Sequence, residues 1–357
     1  MMTLREILQH KRCWWAAAAI FAGLVLSITA LSEVLAHNAE NTDGAPAQTQ
    51  TDGDQDDDPA SPDTPSTPSD PNEPPQGAEP DAITDQQQPQ EEPDGFDSMF
   101  PDAEDIVELF DYFDRIFSDE YVSKTGDVDY ATLRRKRIDL IRAANVLEQL
   151  HPAVLMSLDR EQRIAFWINT YNACTLKLII DNYPIEPKWY MIFYPGNSIM
   201  QIPGAWTRVF FRIMGLEYNL QEMRNDLLLD RYQDPRISFA LTHAARGGAL
   251  LRNEPFVPET LDEQLDDQVR RFLASQHGMR IDTGSNVLYL SNVFSMNRNA
   301  FINSEYAEIL RFRSRRPEER AWLNFLYEHL PEEQASWLLT NDPAIRLMDF
   351  DWTLNEQ

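Results

Sequence analysis

Large apolar residues fall into three regimes along this chain: a dense run from Trp14 to Leu31, a stretch from His37 to about Phe96 almost without them, and a periodic pattern from Asp102 onward. In the last regime the spacing is mostly helical. Asp102 to Ser118 places Ile106, Leu109, Phe110, Phe113, Ile116 and Phe117 on one side, with acids in the first turn where the helix dipole favours them. Leu133 to Leu150 repeats the pattern with Leu140, Ile141, Ala144 and Leu147. The run AFWINTYNACTLKLII, Ala165 to Ile180, is apolar nearly all round and predicts a central helix of about 24 Å buried on most sides.

Shorter segments carry β signals. Tyr121 to Tyr130 holds a turn at Gly126-Asp127, and Arg208 to Leu220 reads as two strands about Gly215 leading into a short helix, Gln221 to Leu229. Met279 to Asp282 and Val287 to Leu290 flank a turn at Gly284-Ser285-Asn286. Thr260 to Ser275 predicts a helix with Thr260 and Glu263 as a capping box. Helices from Pro317 to His329 and Glu332 to Leu339 follow, then a strand near Ile345 to Phe350. The fold expected is α+β, with mixed helices packed on a small sheet around the nearly all-apolar helix, in one globular domain over 101–357.

The other two regimes bear on location. Residues 13–36 read either as a transmembrane anchor or as a cleaved signal. Lys11 and Arg12 precede the apolar run and Trp14 and Trp15 begin it, whereas Val34-Leu35-Ala36 offers small residues for cleavage. On the anchor reading residues 1–12 are cytoplasmic, and on either reading the remainder lies outside the cytoplasm, in the periplasm or at the cell surface. Residues 37–100 form an acidic, Pro-rich linker that cannot bury enough surface to order, reaching about 40 to 50 Å as a flexible coil. No Lys or Arg occurs between Arg12 and Arg115, so most of the net charge of −27 sits in that part and leaves the folded part only mildly acidic. Nucleic acid and anionic lipid are therefore poor partners for the folded part. The membrane, through the N-terminal segment, is the expected one; a protein partner is not specified.

The stretch DPRISFALTHAARGGALLRNEPF, Asp234 to Phe256, is where chemistry is expected. Ile237 to Thr242 reads as a buried strand emptying into Arg246-Gly247-Gly248, where two glycines permit close approach of a ligand. The loop holds no Cys, Ser or acid, only Arg246. Arg246 and Arg252 bracket it and either could grip a carboxylate or phosphate, against the plainer alternative of a salt bridge to Glu254 or a solvated side chain. Asn169 and Asn172, three apart in the central helix, either bind neighbouring backbone or point into a cavity. The candidate ligand-binding set is thus Asn169, Asn172, Arg246, Gly247, Gly248 and Arg252, for a peptide or small acidic ligand. Ser238 with His243 is the weaker catalytic alternative, since on a regular strand the two point to opposite faces. Cys174 reads as a core residue. No metal-binding, phosphate-loop or dinucleotide signature is present, so neither metal nor cofactor is expected.

The blocks AFWINTYNACTLKLII, GLEYNL, DPRISFAL, LLRNEPF with LDEQLDDQVRRFL, and DWTLN together resemble the family called domain of unknown function 547, over about Tyr121 to Asn355. The resemblance implies a His in the helix after the hairpin, a His before the Phe-Ala-Leu run and a Cys in the following loop, a set suited to a thiolate nucleophile with a base. Here those positions are Asn225, Ser238 and Gly248. Glycine offers no nucleophile and Asn no base, so the resemblance points to a non-catalytic ligand-binding or scaffolding domain at the membrane. The alternative is an envelope hydrolase or acyltransferase with a rearranged site.

Overall fold

The computed structural model describes residues 103–357. The segments expected to be anchor or signal (13–36) and linker (37–100) lie outside the described residues. Among the described residues, no helix is long and apolar enough to cross a membrane.

The first helix, α1 (Ala103–Ile116), turns Leu109, Phe113 and Ile116 inward. A narrow β-bridge between Val122 and Val128 closes the turn at Gly126. Leu133 to Leu150 is broken where one helix was expected: α2 (Tyr130–Arg135) ends at Lys136 and α3 (Ile138–Gln149) begins after Arg137. A short α4 (Pro152–Ser157) leads to α5 (Arg160–Asn182), the longest helix described, which Asp159 and Gln162 start with a reciprocal capping box.

The expectation of a nearly all-apolar central helix needs correcting. Residues Ile164–Leu176 of α5 are all buried, but they include Asn169, Thr170, Asn172 and Thr175. This helix is enclosed because its amides find partners in neighbouring chain, not because it lacks polar groups.

Hairpin β1 (Phe211–Ile213) and β2 (Leu216–Tyr218) pairs Ile213 with Leu216 across a turn in which Met214 and Gly215 both take positive φ. Two such residues in succession are what a tight right-twisted hairpin needs. Next, α6 (Leu220–Arg224), a π turn at Asn225–Leu229 and α7 (Asp230–Tyr232) run on as one interrupted helix.

Past the central stretch, α8 (Leu261–Ala274) lacks the expected capping box, because Thr260 makes no side-chain cap bond. A 3-10 turn at Pro258–Thr260 supplies the first turn instead, and Gln264 fixes the approach by accepting from the Val257 N–H (2.8 Å) and donating to the Pro255 carbonyl (3.0 Å). Strand β3 (Met279–Asp282) pairs antiparallel with β4 (Val287–Leu290). Two short helices, α9 (Val293–Met296) and α10 (Arg298–Ile302), then α11 (Pro317–His329) and α12 (Glu332–Asn341) lead to β5 (Ala344–Leu347), parallel to β4. The result is one α+β domain with two separate small sheets, of two and three strands, where a single sheet was expected.

Two apolar clusters make up the interior. One surrounds α5; the other is largely aromatic, with Phe239 at its centre within 5.2 to 5.6 Å of the rings of Phe272, Phe294 and Phe325. Ile237, Ala240 and Leu241 belong to the first cluster and Phe239 to the second, so Asp234–Phe256 is the seam between them.

That seam is not the strand its composition predicts. Pro235–Phe239 is a 3-10 helix, opened by Asp234, whose carboxylate accepts from the Arg236 N–H (2.9 Å), with Pro235 presetting φ. A three-residue turn sends successive side chains in three directions, which suits a segment wedged between two cores.

Candidate functional site

Asn172 replaces the sheet neighbour the seam lacks. Its Nδ2 donates to the Ala240 carbonyl (2.9 Å) and its Oδ1 accepts from the Thr242 N–H (2.9 Å). Asn169, one turn earlier on α5, treats Phe256 in the same way (2.7 and 2.9 Å). Both amides are buried and committed to backbone, so neither faces a cavity.

The glycine loop is closed by a parallel bridge between Thr242 and Ala249 and tied to the C-terminal segment. Arg246 N–H donates to Thr353 (2.8 Å) and Gly247 N–H to Asp351 (2.9 Å). A Cβ on Gly247 would lie 2.6 Å from the Asp351 nitrogen, and one on Gly248 2.8 Å from the His243 Cβ. The close approach that needs these glycines is therefore to the protein's own chain, and not to a ligand as expected. The Arg246 side chain is exposed. Arg252 is buried and paired with Glu254 (Nε 3.2 Å) and Asp267 (2.6 Å), which takes it out of the ligand-binding set.

Ser238 and His243 are both buried, and neither Ser238 Oγ nor either ring nitrogen of His243 has a hydrogen-bond partner. Thr242 Oγ1 instead accepts from the Ala244 N–H (3.1 Å). The structure does not bring Ser238 and His243 together as a nucleophile and base.

His243 nonetheless marks a site, though with different companions. It lines a crevice of about 210 Å³ with Met200, Trp206, Gln221, Arg224, Met296 and Trp352. The Trp206 ring stands 5.9 Å away and Phe350 5.8 Å. Burial, helped by the neighbouring Arg224 charge, pushes the imidazole from 6.5 down to about 3, so it is neutral at any ordinary pH. Its successor Ala244 is buried at φ +49°, a left-handed conformation that an alanine adopts only under constraint and that is concentrated at functional sites.

Arg224 is the residue the sequence reading passed over. Its terminal nitrogens donate to Asn225 Oδ1 (3.2 Å) and to Asn297 Oδ1, both neutral, while its Nε is enclosed without a partner. No carboxylate pairs with it among the described residues, and burial lowers its pKa. The π turn that starts at Asn225, immediately after it, is a helix defect often found at functional positions. A signal was available: Leu220 and Leu228, four residues to either side, are fully buried, so Arg224 is a charge on the apolar stripe of its own helix.

A larger polar cleft of about 490 Å³ runs past Arg236, Asp266 and His329. There Arg236 is answered by Asp234 (2.8 Å), Asp262 (2.7 Å) and Asp266 (2.8 Å), so this cation is not free for a ligand. Cys174 is buried, and desolvation raises its thiol to about 12, which removes it as a nucleophile. Among the described residues, no three His, Cys, Asp or Glu side chains gather to hold a metal ion.

No curated protein and no solved structure matches the chain. A family model does match, over residues 155–273, a span that holds α5, the hairpin, Arg224, the seam and α8. That model is of the family described as protein of unknown function, DUF547, and over those residues the chain is similar to it.

Proposed function

We propose that the domain binds, without turning over, a small organic acid in the crevice between Arg224 and His243, and that the N-terminal apolar segment tethers it to a membrane on the non-cytoplasmic side. One observation carries the binding reading: Arg224 is a half-enclosed guanidinium with only neutral partners, set between tryptophan and methionine side chains. Removing a cation from water without a counter-charge is costly, and a ligand carboxylate would supply that charge in a bidentate arrangement. Trp206 and Trp352 would flank the apolar body of the acid. The low basicity of the buried His243, with its pKa pushed down to about 3, speaks against general-base chemistry at pH 7, as do the replacements at Asn225, Ser238 and Gly248. The tether rests on Trp14 to Leu31 and the basic residues before it.

Calorimetric titration of the full chain in detergent, with acetate, butyrate and benzoate and with their uncharged amides, tests this. Carboxylates should bind more tightly as the apolar body grows, the amides should not bind, and Arg224→Gln should lose about tenfold or more in affinity, as loss of a charge-assisted pair does. Equal affinity in Arg224→Gln, or no saturable binding in the series, overturns the assignment.

A further inference from the structure

The segment Lys188 to Tyr194 displays its aromatic and aliphatic side chains outward. Trp189 is 87% exposed, Ile192 74% and Phe193 89%, with Tyr190 also exposed. Large apolar groups placed together in water are a cost that a monomeric soluble protein avoids. The display is built and held: Gln201, only 2% exposed, accepts from the Lys188 N–H (2.7 Å) and donates to the carbonyls of Met191 (3.1 Å), Tyr194 (3.2 Å) and Pro195 (3.1 Å). One buried amide thus fixes both ends of the loop, and Tyr194 anchors its inner flank edge-on against Trp352 at 6.0 Å. The loop is shaped by the protein, while its apolar tips touch little of it.

Charge says what the tips meet. The folded part as a whole is mildly acidic, yet not one Asp or Glu lies between Glu186 and Glu217, whereas Lys188 and Arg208 do; Arg212, also in that stretch, is paired with Glu148 and Glu217 and adds no free charge. Among the described residues, acids are absent from the stretch that presents the exposed aromatics. Trp and Tyr favour the headgroup level of a bilayer, and basic residues beside them are attracted to anionic lipid.

We infer that the Lys188–Tyr194 loop inserts into the surface of a bilayer containing anionic phospholipid, a second membrane contact separate from any N-terminal anchor. Trp189 and Tyr190 supply the amphipathic rings, and Ile192 and Phe193 the purely apolar bulk, that an interfacial wedge needs. Because Tyr194 and Met200 flank the crevice wall, the docked domain would hold its ligand site close to the headgroups.

The test uses the full chain carrying Cys13→Ser, in vesicles of phosphatidylcholine and phosphatidylglycerol, with a polarity-sensitive fluorophore on Ile192→Cys; the remaining Cys174 is buried and unreactive. Emission should shift to the blue and be quenched by brominated acyl chains, and the effect should weaken in pure phosphatidylcholine. The same label at Met156→Cys, an exposed position on α4, should stay water-like. Water-like emission at position 192 overturns the inference. So does a blue shift that brominated lipid fails to quench, which would mean a protein surface or a second copy covers the loop. Equal quenching at position 156 also overturns it, because insertion would then not be specific to the loop.

Discussion

At the scale of single residues, His243 makes the stability of the domain depend on pH. Its folded pKa, about 3, lies below its ordinary value of 6.5, so between those values the unfolded chain binds the proton and the folded one does not. Stability from keeping the ring neutral is fully present above pH 6.5 and declines as pH falls toward 3. Between pH 7 and pH 5 this amounts to a loss of about 2 kcal/mol. Urea unfolding at the two pH values should show that loss in the wild type and little of it in His243→Leu; identical slopes would place the ring in water. Arg224 behaves in the opposite sense. Because it lacks a counter-charge, Arg224→Leu should stay within about 1 kcal/mol of wild-type stability while carboxylate binding disappears. A drop of several kcal/mol with binding retained would make the arginine structural.

At the scale of elements, the longer helices and both hairpins are legible in the sequence because periodicity and turn residues are local, whereas the break at Lys136-Arg137 and the short α4, α9 and α10 are not. Met279–Asp282 and Val287–Leu290 were read with the bounds they adopt, since Gly284-Ser285-Asn286 punctuates them. The seam was misread for a nonlocal reason: its Ile-Ser-Phe-Ala-Leu pattern suits a buried strand, but Asn172, far away in sequence, satisfies the backbone groups that a sheet neighbour would otherwise have taken. Arg246, Gly247 and Gly248 were read as ligand-facing for the same reason, as only the folded chain shows the C-terminal segment lying against them. Asn172→Ala therefore leaves two buried backbone groups without partners and should cost about 2 to 4 kcal/mol in urea unfolding. A near-neutral effect would mean the segment re-pairs. Two glycines separate the remaining causes. Gly215→Ala meets no atom within 4 Å and bears only the strain of φ +72°, about 1 kcal/mol. Gly247→Ala must push against Asp351 backbone and should cost more, about 2 to 3 kcal/mol, with faster exchange of the amide at position 247. The reverse ranking would show that the C-terminal segment yields easily.

At the scale of the whole domain, the last seven residues connect parts that are distant in sequence. Asn355 donates from Nδ2 to the Gly126 carbonyl (2.9 Å), accepts at Oδ1 from the Tyr130 hydroxyl (2.7 Å), and its carbonyl accepts from the Val128 N–H (2.8 Å). Leu354 is buried in the cluster around α5, Thr353 and Asp351 receive the glycine loop, and Trp352 forms a wall of the crevice. Fold and site thus share one segment but use different side chains of it, which makes the two roles separable. Asn355→Ala leaves the Gly126 carbonyl and the Tyr130 hydroxyl unpaired in the interior and should cost about 2 to 4 kcal/mol, with the midpoint shifting together for far-ultraviolet circular dichroism and tryptophan fluorescence if the domain unfolds as one unit. Its affinity for carboxylates should stay at the wild-type value. Trp352→Ala should do the reverse to binding, weakening it while the half-buried indole costs less in stability. If Asn355→Ala instead splits the two unfolding curves, the two apolar clusters unfold independently and the seam at Asp234–Phe256 does not couple them. If it abolishes binding at unchanged fold, the crevice depends on the position of the whole tail and not on Trp352 and Arg224 alone.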